Sequence, residues 1–195
     1  MNRIGQPPWW AVVSSLAAPV LLIGGWLLAQ AVQPGDFDAV IQTISALAAE
    51  GTPHRWVMTA GFVGVGVAHL VTAAGLSVLR PLSRATLALA GVATLGVAAF
   101  PLHSGGSSAH GVTATIAFVA LALWPATTAA RRTSWVVHPA VAFAVTAVSA
   151  ALLVTFAAKN GGATRGAWER AVAAQQVLWP LVVVLALRAG ARMRA

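Results

Sequence analysis

The sequence contains no cysteine, and charged residues of both signs are scarce. Without cysteine the chain has no disulfides, no thiolate metal ligands, no thioether-attached haem and no cysteine nucleophile. Charged residues make up 8% of the 195 residues, whereas soluble domains carry about 25%. Because 58% of the residues are also hydrophobic, the composition excludes an ordinary cytosolic protein.

Six apolar runs, bounded by charged residues or by histidines, follow one another along the chain. Each is long enough to cross a bilayer, which takes about 20 apolar residues. The runs predict an all-α fold, a single polytopic transmembrane domain over residues 1–195 whose spans cover about residues 9–32, 56–79, 83–102, 110–130, 135–158 and 169–188. The first run exceeds the roughly 7 to 15 residues of a signal-peptide core, so we expect it to be retained as a helix.

The basic residues are distributed unequally between the two sides that six spans define. The side of both termini collects Arg3, Arg80, Arg84, Arg131, Arg132, Arg188, Arg192 and Arg194. The opposite side collects Arg55, Lys159, Arg165 and Arg170, together with every acidic residue of the chain. Since cytoplasmic loops carry the excess of Lys and Arg, both termini are predicted to be cytoplasmic and the protein to lie in the cell membrane.

The net charge of +8 therefore indicates topology, and no nucleic-acid partner is predicted. The chain prefers Arg over Lys and is rich in Ala, Gly and Val, which is typical of a GC-rich bacterial genome. We therefore expect the membrane that holds this protein to be a bacterial inner membrane. The lipid bilayer is the one partner that the composition indicates directly, and the sequence leaves the oligomeric state open.

Loop 1, the long connection between the first two spans, carries a helical pattern of its own. Asp38 is a good N-cap residue. Apolar residues then recur at helical spacing, namely Val40, Ile41, Ile44, Leu47 and Ala48. The pattern predicts a short interfacial helix that lies on the outer surface of the bundle.

Loop 1, loop 3 (between the third and fourth spans) and loop 5 (between the fifth and sixth spans) all open on the outer side and bring most of the candidate functional residues. The catalytic candidates are Asp36, Asp38, Ser45, His110 and Glu169, and the binding candidates here are His103 and Arg170. Carboxylates and imidazoles over a dry bundle suit a divalent-metal site or a general acid/base site, and a serine near them suits nucleophilic chemistry. We expect His110 to approach Asp36 or Asp38 and Glu169; the alternative is that these polar residues only meet water.

Three further binding candidates fall inside predicted spans. His69 lies near the middle of the second span, where an ionisable group is a functional hypothesis by default; the alternative is a neutral imidazole bonded to a Ser or Thr of a neighbouring helix. Gln175 and Gln176 either bond across helices or line a polar cavity. A bis-histidine haem would need a second histidine at this depth, and none is present, so a divalent metal is the one cofactor left open.

A series of short motifs covers nearly the whole chain: Asp36–Leu47 with its Ile44-Ser45-Ala46-Leu47 segment, Trp56 with Gly61-Phe62, Phe100-Pro101 with His110 downstream, Trp168-Glu169-Arg170, and Leu178-Trp179-Pro180. In these motifs the sequence resembles the bacterial six-span domain-of-unknown-function 998 family. The resemblance implies a six-helix integral membrane protein with outer polar positions at Asp36, Ser45, His110 and Glu169 and with no assigned activity.

A more distant likeness is to the superfamily of membrane hydrolases that includes alkaline ceramidases, which use Ser, Asp and His around a zinc ion. Those enzymes carry a paired-histidine motif on their last span. The last predicted span here has no histidine.

Three functions remain open from the sequence alone. The first is an outer-facing polar pocket that binds a lipid headgroup, a small solute or an ion. The second is a membrane-embedded, metal-dependent lipid hydrolase that uses the catalytic candidates above. The third is a structural or assembly subunit without a site. The incomplete set of metal ligands favours the first and the third.

The predicted orientation can be tested in this cysteine-free chain. Single cysteines at Ser107 and at Thr133, labelled in intact cells with a membrane-impermeant thiol reagent, should react at position 107 and not at position 133. Labelling of position 133 alone would show that the orientation is reversed.

Overall fold

A computed structural model of the chain describes residues 6–103, 106–130 and 134–192. This part of the chain contains no strand and forms six helices: α1 (Trp9–Ala31), α2 (Trp56–Gly75), α3 (Pro81–Ala99), α4 (Ser108–Thr127), α5 (Pro139–Ala158) and α6 (Arg165–Arg192). All six are long and apolar enough to cross a membrane, as predicted. Arg3, Arg131, Arg132, Thr133 and Arg194 lie outside the described residues.

Local sequence signals determine where the helices begin. α3 and α5 begin at Pro81 and Pro139, because proline fits the first turn of a helix, where the amide hydrogen has no partner. Residues Trp135–Val137, predicted to open the fifth span, form a separate 3₁₀ helix. α6 begins at Arg165, four residues before the predicted start, so Glu169 and Arg170 belong to this helix and not to loop 5.

Consecutive helices pack side by side, and α6 closes the arrangement by contacting α1 as well as α4 and α5. α5 contributes least to the interior, because only Ala142 and Ser149 are buried among its residues. The end of the bundle that carries loops 1, 3 and 5 is called the loop-1 end below.

α2 and α3 approach each other closely at a pair of glycines. A Cβ atom added to Gly66 would lie 2.8 Å from the carbonyl oxygen of Gly91, and one added to Gly91 would lie 2.8 Å from the carbonyl oxygen of Gly66. Both contacts are with backbone, so neither can be relieved by a side-chain rotation. Small residues that let backbones meet are a usual means of packing membrane helices.

We expect Gly66→Ala to lower the stability of the bundle by about 1 to 3 kcal/mol, because α2 and α3 must separate to admit the methyl group. Thermal unfolding in detergent, followed through the eight tryptophans, measures the change. Gly24→Ala is the matched control, since a Cβ atom there meets nothing within 4 Å and alanine favours a helix. Equal melting temperatures for the two variants would contradict the close-packing argument.

Loop 1 enters the bundle instead of lying on its surface. The helix in this loop is a single 3₁₀ helix, Ser45–Ala48, and the Asp38 carboxylate accepts a hydrogen bond from the Val40 amide in the turn before it. Ile44, Leu47 and Ala48 are buried and belong to the same apolar cluster as residues of α1, α2, α3 and α6. Val40 and Ile41 are exposed. Because the segment is not a regular α-helix, the predicted five-residue apolar stripe does not form, and only its second half enters the core.

Candidate functional site

Glu169 of α6 holds loop 1 in the loop-1 end. Its carboxylate accepts hydrogen bonds from the backbone N–H of Ile44 and, at 3.2 Å, from the hydroxyl of Ser45. The glutamate side chain is 4% exposed. A buried N–H without a partner costs free energy, so this carboxylate stabilises the non-helical backbone of loop 1.

Arg170, the next residue, binds the same loop from its outer face. Its Nη1 donates to the carbonyl oxygens of Ala39 at 2.7 Å and Gln42 at 2.8 Å. Its guanidinium carbon lies 5.8 Å from the ring centroid of Phe37, a cation–π distance. We refer to Glu169 and Arg170, with the loop-1 atoms that they bind, as the Glu169–Arg170 clasp.

The first turn of α6 completes the contact through its backbone. The amides of Gly166 and Ala167 donate to the carbonyl oxygens of Ile41 at 3.2 Å and Val40 at 2.9 Å. These amides have no partner within the helix, so the loop-1 carbonyls cap α6. A Cβ atom at Gly166 would collide with the carbonyl oxygen of Gln42 and lie 2.7 Å from that of Ala39, so this contact requires glycine.

A cavity of about 70 Å³ lies below the clasp. Its walls come from α1, α2, α3, α4, α6 and loop 1, and its lining is mostly apolar: Leu22, Ile44, Phe62, Val65, Val97, Ala114, Ala117, Phe118, Leu121, Ala173 and Val177. Five polar residues complete the lining: Ser45, His69, Thr94, Glu169 and Gln176. A concave, mainly apolar space with a few convergent polar groups is typical of small-ligand sites.

Two of these polar residues have ring or amide atoms without a hydrogen-bond partner among the described residues. Both ring nitrogens of His69 and the Oε1 atom of Gln176 are buried and unpaired, while the Nε2 atom of Gln176 donates to the carbonyl oxygen of Phe118 at 3.1 Å. The alternative expected from the sequence, a hydrogen bond from His69 to a Ser or Thr of a neighbouring helix, is therefore absent among the described residues. The hydroxyls of Ser14 and Thr72 lie 2.8 Å apart and bond to each other instead. Unpaired buried polar atoms are uncommon and call for a partner.

The remaining predicted site residues lie in other places. Asp36 and Asp38 are exposed and line a wide, shallow depression beside α1. The Nδ1 atom of His110 lies 2.9 Å from the carbonyl oxygen of Phe100, and among the described residues this imidazole bonds to no carboxylate. His103 is exposed, and Gln175 accepts a hydrogen bond from Ser149 of α5 at 2.7 Å. Loops 1 and 3 do meet, through the Glu50 amide and the Leu102 carbonyl oxygen at 2.7 Å.

Ser45 is not placed as the nucleophile of a Ser-His-Asp triad. A Ser-His-Asp site needs the imidazole beside the serine, whereas Ser45 donates to Glu169 directly. Within residues 6–103, 106–130 and 134–192, no group of three His, Asp or Glu side chains lies close enough to hold a metal ion.

Sequence reasoning missed the part of this site that is made of backbone and apolar residues. The Ile44 amide, the loop-1 carbonyls and the cavity wall from Phe62 and Phe118 carry no polar signal in the sequence. Gly166 gave a signal that could have been used, since a glycine in the first turn of a helix, three residues before a buried glutamate, is open to close backbone contact.

The apolar helices and the closed bundle define a multi-pass helical membrane protein. The chain belongs to the family described as protein of unknown function (DUF998), whose family model matches residues 16–186. This match confirms the resemblance in the short motifs, and the matched range contains the clasp and the cavity. No curated protein and no solved structure matches the chain.

We expect Gly166→Ala to release loop 1 from α6. The buried Ala48 is replaced by cysteine as a reporter, and the rate of its reaction with a thiol reagent is measured with and without the change at position 166. Labelling should become about tenfold faster, as for an opening equilibrium shifted by ~1.4 kcal/mol. Gly190→Ala, also on α6, has open space around the new methyl group and serves as the control. Unchanged labelling in the Gly166 variant would show that loop 1 is held by other contacts.

Proposed function

We propose that this membrane protein binds a small ligand with a primary ammonium group in the cavity below loop 1, with the Glu169 carboxylate as the counter-ion. The ammonium group belongs either to a free amine or to a lipid headgroup. We also propose that both termini are cytoplasmic, so that the loop-1 end faces out of the cell. Eight basic residues on the terminal side against four on the other support this orientation.

The observation that carries the proposal is a buried carboxylate that faces the cavity without an ion pair. No described Arg, Lys or His lies within ion-pair distance of Glu169, because Arg170 is directed to the loop-1 carbonyls. Arg170, the neighbouring cation, acts on the carboxylate only from beyond ion-pair distance, and a buried carboxylate without a directly bonded cation is costly to keep ionised. A cation in the cavity offsets that cost, and the two bonds from Ile44 and Ser45 leave lone pairs free to accept from it.

The other walls fit the same ligand. Phe62 and Phe118 line the cavity, and aromatic faces attract cations in dry surroundings. The aliphatic walls favour an amine that carries a short alkyl chain over a hydrated metal ion. A water needs roughly 10 to 15 Å³ of such space, so a cavity of about 70 Å³ holds a solute of a few heavy atoms.

Propylamine, which is a cation at neutral pH, is the probe for a free ligand. Its binding to the purified protein should raise the melting temperature in a concentration-dependent way, because a ligand that binds only the folded state stabilises it. 1-Chloropropane, which has a similar size, no charge and no hydroxyl, should have no such effect. Glu169→Gln should weaken propylamine binding by about 10- to 100-fold, as expected for loss of a charge-assisted hydrogen bond.

Glu50→Gln is the matched control, since it removes an exposed carboxylate from the same end of the bundle. In the Glu169→Gln variant the new side-chain amide oxygen can still accept from Ile44, and the Ala48 cysteine reporter tests whether loop 1 stays in place. Equal propylamine binding by wild type and Glu169→Gln would contradict the proposal. If no amine stabilises the protein, the structural-subunit hypothesis is favoured instead.

The source of the ammonium group is distinguished by reconstitution. Nanodiscs of phosphatidylethanolamine present a primary ammonium, and those of phosphatidylcholine present a quaternary one that donates no hydrogen bond. If phosphatidylethanolamine stabilises wild type but not Glu169→Gln, the ammonium group belongs to a lipid headgroup. If propylamine stabilises the protein in phosphatidylcholine nanodiscs, the ammonium group belongs to a free amine.

A further inference from the structure

The inner end of the cavity has its own polar groups, which the ammonium site does not use. His69 is 1% exposed and Gln176 is 2% exposed, and both line the cavity. Neither ring nitrogen of His69 nor the Oε1 atom of Gln176 has a partner among the described residues. Thr94, another polar residue of the lining, already donates to the carbonyl oxygen of Ala90 in its own helix at 2.8 Å.

These unpaired atoms define the group that would satisfy them. A neutral imidazole offers one N–H donor and one acceptor, and the Gln176 oxygen is an acceptor. A hydroxyl both donates and accepts, so one hydroxyl can bond to His69 and Gln176 together. A hydroxyl leaves one acceptor atom unpaired, whereas an amine cation leaves the imidazole N–H donor unpaired, and buried donors without a partner are the rarer case. An alkyl end would leave all three atoms unpaired.

We propose that His69 and Gln176 form a hydroxyl-binding subsite, and that the ligand of the cavity is therefore a short amino alcohol. This inference rests on the ammonium site proposed at Glu169. The ammonium group binds at Glu169 and Ser45, the methylene chain packs against the apolar walls, and the hydroxyl binds at His69 and Gln176.

The helix geometry of α6 gives the approximate length of the ligand. Glu169 and Gln176 are seven residues apart, which is two turns on one helix face and roughly 10.5 Å of rise. Two hydrogen bonds of about 2.9 Å take up part of that distance, so the nitrogen and oxygen of the ligand are roughly 5 Å apart. A chain of three methylene groups spans such a distance, which makes 3-aminopropan-1-ol the probe.

The experiment compares 3-aminopropan-1-ol with propylamine, which has the same ammonium group and chain without the hydroxyl. Melting-temperature titrations of the full-length protein in detergent give both dissociation constants. Wild type should prefer the amino alcohol by about tenfold, as expected when a hydroxyl satisfies buried partners. His69→Leu and Gln176→Leu, which keep the volume and remove the polar atoms, should lose this preference and still bind propylamine.

His138→Leu, a histidine at the opposite end of the bundle, should keep the preference of wild type. If wild type binds both probes with equal affinity, the hydroxyl-subsite proposal is wrong, and the proposal of an ammonium site at Glu169 is retained. Water would then be the partner of His69 and Gln176. If wild type binds neither probe, the proposal of an ammonium site is wrong, and the hydroxyl-subsite proposal that rests on it is wrong as well. A preference that survives both leucine substitutions would show that the hydroxyl binds elsewhere.

A ligand that contacts His69 also changes the signals of its ring. In protein labelled with ¹⁵N-histidine, 3-aminopropan-1-ol should shift the His69 imidazole nitrogens, identified by their loss in His69→Leu. Propylamine should leave them nearly unchanged. Equal shifts with the two probes would contradict direct bonding of the hydroxyl to His69, whatever the affinities.

Discussion

The hydrogen bond from the Ile44 amide to the Glu169 carboxylate is the constraint on which the loop-1 end depends. Non-helical backbone can be buried in a membrane protein only if its polar groups find partners. Glu169 accepts from the Ile44 amide and the Ser45 hydroxyl of loop 1. Arg170 donates to two of the loop's carbonyls, and the first turn of α6 uses two more as its cap. Because these partners are present, Ile44 and Leu47 can pack in the apolar core. Ile44 and Ser45 also form the loop-1 wall of the cavity.

The helices were predictable, because their signal is local. An apolar run of about 20 residues needs no knowledge of its neighbours, and prolines such as Pro81 and Pro139 mark helix starts through their own geometry. The position of loop 1 was not predictable in the same way. Its periodicity suggested a surface helix, whereas the outcome depends on partners in α6 that lie more than a hundred residues away in sequence.

The candidate site was predicted in part for the same reason. Ser45 and Glu169 were grouped from topology alone, and the structure brings them within hydrogen-bond distance. His110 was grouped with the carboxylates by the same argument, yet its imidazole bonds to the nearby Phe100 carbonyl. Topology gives the end of the bundle at which a residue lies, but the direction of a side chain depends on the nearest backbone group that needs a partner. His69 and Gln176 came from burial of polar residues in a span, a signal that identifies them without indicating what they bind.

The two parts of the clasp, loop 1 and the start of α6, lie far apart in the sequence, and this has a consequence for biosynthesis. Loop 1 leaves the ribosome early, and the carboxylate that binds its Ile44 amide follows 125 residues later. Until α6 has been made and inserted, this amide and the carbonyls that Arg170 and Gly166 contact have no protein partner. Insertion of the first five helices and closure of the loop-1 end are therefore separate steps. A nascent chain arrested before α6 would be correctly threaded through the membrane and still open at that end.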